Sequence, residues 1–426
     1  MIRTTAVFLL TLTTLYGETY TLTLRQAVDL ALQQNPDLIL ARLDEQKAAQ
    51  SVRLARDPFY PRLNVGSGAA YSSGYPLTID GNPPSIFQAH AVQSFYNRPK
   101  TYAVAEAREN ERTTLIDIDI KRDDVAFRTA SLYLDAERTT QVSEIVGRQI
   151  QEFEQIRQVV AARVAEGKLL DIENDKAMLN LARAKQRVAQ LTLDRSYLER
   201  SLAIILGYGP DDSVKTSTSE RGAPDLPESE QAAMELALSN SKELKRLQSV
   251  LTAKGYTVKA QHASRLPQVD LVAQYALLTR YNFNQDFFGR FNRHAGQLGI
   301  SVQVPLFSGT GPSALAQQAE IESIRLREQI KSARGRISLD VRRSFEELRN
   351  VEAAEDVARL DLEVTRKMVS NALSQFGEGR ATLTDLASLR TAENEKWITF
   401  FDAQSSRERA RLDVLKQTGS LLSALR

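Results

Sequence analysis

The chain has 426 residues, with 55 basic against 53 acidic side chains, three histidines and no cysteine. A near-balanced charge of +2 without a basic stripe or an aromatic RNA-binding motif excludes a nucleic-acid partner. The lack of cysteine excludes disulfides, thiolate metal sites and a cysteine nucleophile, and leaves no cysteine to carry a lipid anchor.

In chain order, the first segment reads as a signal peptide, residues 1–17. Arg3 supplies the positive charge, Ala6 to Leu12 a short apolar core and Thr14 to Gly17 small residues for cleavage. That core is too short to span a bilayer, and no later stretch approaches the roughly 18 apolar residues a spanning helix needs. Leu24 to Leu32 reads as a short amphipathic helix, and Asn35-Pro36 opens a second one that runs to about Asp57. Pro58 and Pro61 stop it. Two weak strands follow, Leu63 to Tyr71 and about Gln88 to Phe95, forming a hairpin over about 62–96. From about Pro99 to Ala165 there is no further proline and almost no glycine, so a single helix on the order of 100 Å is expected. It turns at Glu166-Gly167 and returns over Asp171–Leu206. Residues 208–227, rich in Gly, Pro, Asp and Ser, read as a linker.

The sequence then repeats itself. Ala27-Val28-Asp29-Leu30-Ala31-Leu32 returns 206 positions on as Ala233-Met234-Glu235-Leu236-Ala237-Leu238, and Pro61-Arg62-Leu63 as Pro267-Gln268-Val269. After the hairpin the offset is 212: Phe95 answers to Phe307 and Glu166-Gly167 to Glu378-Gly379. Residues 18–207 thus form one repeat and 228–426 another. The second repeat carries helices near Ser229–Leu238 and Ser241–Arg265, a hairpin over about 267–307, a long helix from Ser313 to Phe376 and a return helix over Leu383–Ala424. In Leu298 to Leu306 every even position is apolar and every odd one, Pro305 apart, is small or polar, which is a strand with one greasy and one wet face. Aromatic residues including Tyr71, Tyr75, Phe87, Tyr275, Tyr281, Phe287 and Phe288 cluster at strand ends and turns. Heptad-spaced stripes, Ile118, Val125 and Leu132 in one long helix and Ile330, Ala333, Ile337, Val341, Leu348 and Val351 in the other, require lengthwise packing against other helices as coiled coil.

Each repeat supplies two strands, four in all. In lipid every backbone N–H and C=O must be paired, so a four-stranded sheet with two open edges cannot stand in a bilayer. Membrane barrels begin at about eight strands. The strands are therefore expected to close with those of other copies, and the long helices to continue the barrel as a tube.

The repeat openings (Ala27–Leu32 and Ala233–Leu238), the junction Val304-Pro305-Leu306-Phe307-Ser308-Gly309 and the turn Phe376-Gly377-Glu378-Gly379-Arg380-Ala381-Thr382-Leu383-Thr384-Asp385-Leu386 resemble TolC-like outer-membrane efflux proteins. The resemblance covers nearly the whole mature chain. It implies a mainly α fold with a transmembrane β part: a homotrimer whose twelve-stranded barrel continues into a periplasmic α-helical coiled-coil barrel. It further implies a duct in the outer membrane of a diderm bacterium, docked on a periplasmic adaptor (membrane fusion) protein and an inner-membrane RND or ABC pump, with no cofactor.

The same resemblance places acidic residues at the narrow periplasmic entrance, where Asp385 falls on the first turn after Gly379. In a symmetric oligomer one carboxylate becomes a ring that favours cations. Thr382 and Asp385 also make a Thr-x-x-Asp capping box, and the two roles are compatible. The position one turn later, acidic in some members, is Ser388 here. In the first repeat Asp171, Glu173 and Asp175 are the corresponding entrance residues, Asp171 being equally readable as an N-cap. Gly167 and Gly379 suit the left-handed conformation that ends a helix, and with Lys168 and Arg380 they form the tips that would meet the adaptor. The positions that hold a Tyr- and Arg-centred latch in some relatives are Phe376 and Ala381 here. Leu298, Ile300, Val302, Val304 and Leu306 are expected to face lipid, whereas Arg280, Arg290, Arg293 and His294 fall on the second hairpin's loop.

Catalysis is not expected: His90, His262 and His294 are scattered, no pair has ligand spacing and no nucleophile-elbow or Walker motif occurs. Two other functions remain open on sequence alone, a periplasmic or secreted coiled-coil scaffold and a lytic pore-forming protein.

Overall fold

In the computed structural model, residues 18–68, 85–217, 226–278, 292–307, 309–378 and 380–425 are described. The signal segment, both hairpin loops with most of their aromatics, and Gly379 lie outside them. In chain order the elements are β1 (Thr19–Leu22), α1 (Leu24–Gln34), α2 (Pro36–Arg56), β2 (Arg62–Gly68), β3 (Ser85–Tyr96), α3 (Arg98–Ala165) and α4 (Asp171–Ile205). Then come β4 (Ser213–Thr216), α5 (Glu230–Asn240), α6 (Lys242–Ala263), β5 (Gln268–Leu278) and β6 (His294–Gln303). The chain ends with α7 (Gly311–Gly377), α8 (Leu383–Gln417) and α9 (Leu421–Ala424). No described helix is long and apolar enough to cross a membrane.

The chain divides into two compact units, residues 1–40, 119–241 and 335–426 forming the first and 41–118 and 242–334 the second. In the first unit Val28, Tyr133, Leu202, Leu206, Val214 and Leu415 belong to one buried core. The expected stripe is buried here at Ile337, Val341 and Leu348. Ion pairs flank these helices: Lys416 reaches Asp124 at 2.8 Å, Arg407 reaches Glu355 at 2.7 Å and Lys396 reaches Asp361 at 2.6 Å. Such pairs, part-exposed, fix helix register more than they stabilise.

Six strands are present among the described residues rather than the expected four. β1 and β4 pair in parallel, Thr19 opposite Ser213 and Leu22 opposite Thr216. Four-residue strands carry too little alternation to be read from sequence, and β4 lies inside the segment read as an irregular linker. The buried Tyr133 ties this pair to α3, its hydroxyl 2.9 Å from the carbonyls of Leu22 and Ser217 and accepting from Ser217 N–H at 3.0 Å. The last helix also stops earlier than expected, because Gly419 at φ 73° ends α8 before the short α9.

The duplication is visible in how these ends pack. Gly207 (φ 84°) follows α4, and a Cβ there would meet the Gln34 carbonyl oxygen, at the end of α1, at 2.8 Å. Gly419 follows α8, and a Cβ there would meet Asn240 Cβ, at the end of α5, at 3.1 Å. Each repeat therefore locks its first helix against its last by a glycine that must both turn left-handed and stay bare.

In the second unit the two hairpins form one antiparallel sheet in the order β2-β3-β5-β6. Below it Asp117 on α3 pairs with Arg246 on α6, Ser249 on α6 bonds Thr113 at 2.9 Å and Glu109 at 2.8 Å, and Lys254 on α6 pairs with Glu322 on α7. The register places Leu63, Ala91, Ala273 and Leu298 in one cross-strand row and Gln93, Leu271 and Ile300 in the next. Because side chains alternate in a strand, these rows share a face with Val65, Ala89 and Tyr275. The opposite face carries Asn64, His90, Gln274 and Gln297 in one row and Ser94, Asp270 and Ser301 in another. A bulge between Ser94 and Tyr96 turns Tyr96 onto the apolar face opposite Val269, leaving Phe95 81% exposed. β6 ends at Gln303, so Val304 and Leu306 lie beyond the strand in which the sequence placed them, both exposed.

Substituting Gly207 by Ala is expected to destabilise the first unit by more than about 1 kcal/mol, because left-handed backbone and a backbone clash add. Gly167→Ala, at φ 70° with nothing within 4 Å, meets only the first of these costs. Thermal unfolding of both variants in detergent, followed by circular dichroism, should show the larger drop for Gly207→Ala.

Candidate functional site

The features the sequence singled out gather at two places, the turns between the paired long helices and the two-faced sheet. The α3–α4 turn is closed by Gly167, whose φ of 70° lets Lys168 N–H reach back to Arg163 O at 2.9 Å and Gly167 N–H to Val164 O at 2.9 Å. This is the hydrogen-bond pattern of a glycine-terminated helix. Lys168 pairs with Glu166 at 2.7 Å. Leu170, extended at ψ 149°, is the N-cap of α4 and offers no side-chain hydrogen bond. Asp171 is therefore the first residue inside the helix and not its N-cap. It needs no capping role to sit there, since a carboxylate in the first turn is favoured by the helix dipole. Glu173 is engaged with Lys176 at 2.7 Å, while Asp171 and Asp175 are exposed.

The α7–α8 turn differs chemically. Arg380 N–H reaches Gln375 O at 2.8 Å, and the Arg380 guanidinium pairs with Glu378 at 3.3 Å. Thr382 is the N-cap of α8, and the capping box is complete in both directions. Asp385 N–H donates to Thr382 Oγ1 at 3.2 Å, and Asp385 Oδ2 accepts from Thr382 N–H at 3.1 Å and from its hydroxyl at 2.6 Å. The Thr382 hydroxyl, then its backbone N–H, hold the Asp385 carboxyl below the usual carboxylate range. Its side chain stays exposed, so a fixed negative charge stands at the start of α8. Ser388 donates to Asp385 O at 2.8 Å and is exposed. Asp385 and Ser388 are thus brought together by α8, and Asp171, Glu173 and Asp175 by α4; among the described residues no hydrogen bond or ion pair links the two turns. Gly379 lies outside the described residues.

On the sheet, Leu298 (76%), Ile300 (70%) and Val302 (60%) are exposed together on one face of an edge strand. Near the hairpin end of that face Tyr275 Oη meets His294 Nδ1 at 2.7 Å and Phe87 packs 6.2 Å from the Tyr275 ring. His294, expected on the loop, is the first residue of β6. The polar row on the other face was missed by reading each strand separately. The phase of alternation in all four strands, taken with their register, is what reveals it.

The profile of the outer membrane efflux protein family matches residues 27–208 and 233–420, one match in each half. The chain is 22% identical to outer membrane protein TolC of Escherichia coli over 94% of this chain and 82% of that protein. In structure it is similar to the Campylobacter jejuni CmeC outer membrane channel, with a TM-score of 0.78 at 14% identity over 93% of this chain and 86% of that one. It is likewise similar to the outer membrane protein VceC of Vibrio cholerae, with a TM-score of 0.74 at 18% identity over 94% of this chain and 95% of that one. With both halves matched and the sheet and long helices in place, the chain belongs to the outer membrane efflux protein family and is an outer-membrane efflux channel with a periplasmic helical extension.

Proposed function

We propose that three copies close their sheets into one twelve-stranded barrel and act as the passive exit duct of a tripartite efflux or type I secretion system. The observation that carries this reading is the sheet of four two-faced strands ending at β2 and β6. One face carries the exposed apolar rows, the other carries the polar rows on either side of Val92 and Val272, and the two outer strands are edges within the chain. A soluble scaffold would bury the apolar rows against a second layer; a bilayer leaves them in hydrocarbon and requires the edges to pair with other copies. On this reading Leu298, Ile300, Val302, Val304 and Leu306 face outer-membrane lipid. Recovery of the mature chain from soluble periplasm without detergent would sink it.

A second observation supports self-association. Val357, Leu360, Val364 and Met368, spaced three and four apart on α7, are between 48% and 66% exposed. Such a stripe on a helix that already buries another face fits a further helix, here from a neighbouring copy. Leu360→Glu with Val364→Glu is expected to shift the detergent-solubilised protein from trimer to monomer while leaving its helix content unchanged, as read by light scattering and circular dichroism. Persistence of the trimer would remove the stripe from the interface.

The remaining assignments belong to the same proposal. Residues 1–17 are a cleaved signal, 18–207 and 228–426 are the repeats, and 208–227 join them. Gly167, Lys168, Gly379 and Arg380 form tips that meet a periplasmic adaptor, which links the duct to an RND or ABC pump in the inner membrane. Asp385 and Ser388, with Asp171, Glu173 and Asp175, line the periplasmic entrance. Asp385 supplies the strongest support, being a carboxylate held ionised and exposed by its own helix start.

Two variants separate its charge from its cap. Asp385→Asn keeps an acceptor for Thr382 N–H but removes the charge; Asp385→Ala removes both. Both are expected to lower the cation preference of the reconstituted channel, and the alanine variant to lower the melting temperature more than the asparagine variant, which loses only the charge-dependent part of the cap. Unchanged selectivity in both would leave Asp385 with capping alone. The depressed carboxyl also has a sign in pH: the cap's contribution is present above the ordinary carboxylate range and is lost as pH falls through the lower folded value.

A further inference from the structure

Asn64, His90, Gln274 and Gln297 are in-register neighbours, one from each strand of the sheet, and form a continuous row across its polar face. Three of the four are amide side chains that carry no charge at any pH. The imidazole of His90 is the exception, and histidine is the side chain that ordinarily changes charge between about pH 5 and about pH 8. His90 is part-exposed on this face.

Fixed charge is sparse around it. On the strands beside β3, the row next to His90 holds Arg62 of β2 opposite Val92. Arg62 is already paired with Asp57 at 2.6 Å, in the turn that packs under β3. Asp270 of β5 lies four residues along from Gln274, in the row of Ser94 and Ser301, roughly 13 Å away at about 3.3 Å per residue. Lys100 of α3 donates to Ser94 Oγ at 3.0 Å at that same end. Toward the hairpin end the nearest described charge is Arg293, just before β6. His294 faces the other way, bonded to Tyr275 on the apolar side. The row of His90 is thus neutral apart from this one ionisable group, with Arg62, paired to Asp57, in the row beside it.

We propose that His90, the one ionisable side chain in its cross-strand row of amides, is a selectivity-determining residue of the barrel lumen whose imidazole favours anionic solutes when it carries a proton. The proposal rests on the duct reading above. Closure of three sheets would set three copies of His90 at one level, with their amide neighbours completing a belt. A ring of like charge at a single level changes which ions a pore admits, as charged rings do in other channels. Proton uptake adds positive charge, so the sign is fixed: the cation-to-anion permeability ratio falls as pH falls.

The test is a reversal-potential measurement on the full chain in planar bilayers under a potassium chloride gradient, at about pH 7.5 and about pH 5.5, which bracket the ordinary imidazole range. Wild type is expected to show a lower cation-to-anion permeability ratio at the lower pH than at the higher. His90→Gln, which continues the amide row, should show a flat ratio. His90→Lys should give the low ratio at both pH values. His294→Gln should behave as wild type, because that ring lies on the opposite face. A shift that survives in His90→Gln, or a wild-type ratio that does not move, overturns the proposal. Absence of any conductance from correctly folded wild type would instead overturn the duct reading itself.

Discussion

Hydrocarbon offers no partner to a backbone N–H or C=O, and that single constraint organises this chain. A helix satisfies it alone, yet no described helix here is apolar enough to enter lipid. Strands satisfy it only in company, and each chain supplies four in one sheet, with β2 and β6 as its edges. The rest follows from where the two hairpins are inserted. Each sits between a short helix and a 67- or 68-residue helix, so both hairpins meet in one sheet at the same end of their repeats. On the proposed closure of three sheets, the apolar and polar rows become the outside and inside of a wall.

Much of this was legible in the sequence because the signals were long or doubled. Helices of this length need only the absence of proline and glycine to be seen, and both were placed within about two residues. The stripe through Ile337, Val341 and Leu348 was readable because burial repeats with the helical period. The hairpin strands were weaker in the first repeat, where Gly, Ala and Ser dilute the alternation; pairing with β5 orders β3 over twelve residues regardless. What failed was short or non-local. β1 and β4 hold four residues each and gain their stability from Tyr133 and from one another. Leu170 displaced Asp171 as N-cap because cap identity is set by backbone geometry, and an extended apolar residue can hold that place without a side-chain bond.

The two helix turns share a glycine but not a chemistry. In one, a lysine and a glutamate pair before an apolar N-cap; in the other, an arginine and a glutamate pair before a reciprocal Thr–Asp cap. The second turn therefore fixes its carboxylate through the cap, whereas in the first Glu173 pairs with Lys176 and Asp171 and Asp175 stand exposed. Duplication supplied the frame, and the halves have since diverged at the positions where charge is presented.

The parallel pairing of β1 with β4 has a consequence for how the chain is made. Residues at the very start of the described chain find their partners 194 positions later, with Tyr133 between them in sequence holding both. A chain threaded through a membrane from its N-terminus presents Thr19–Leu22 first and Ser213–Thr216 only after the whole first repeat has followed. Until then the Tyr133 hydroxyl and the core around Val214 lack their cover. Loop closure over that span is slow compared with helix growth. The first repeat is therefore incomplete until its own last strand has been made. Part of that cover arrives with the segment that joins it to its twin, and the rest, Leu412, Leu415 and Leu421, only with the end of the chain.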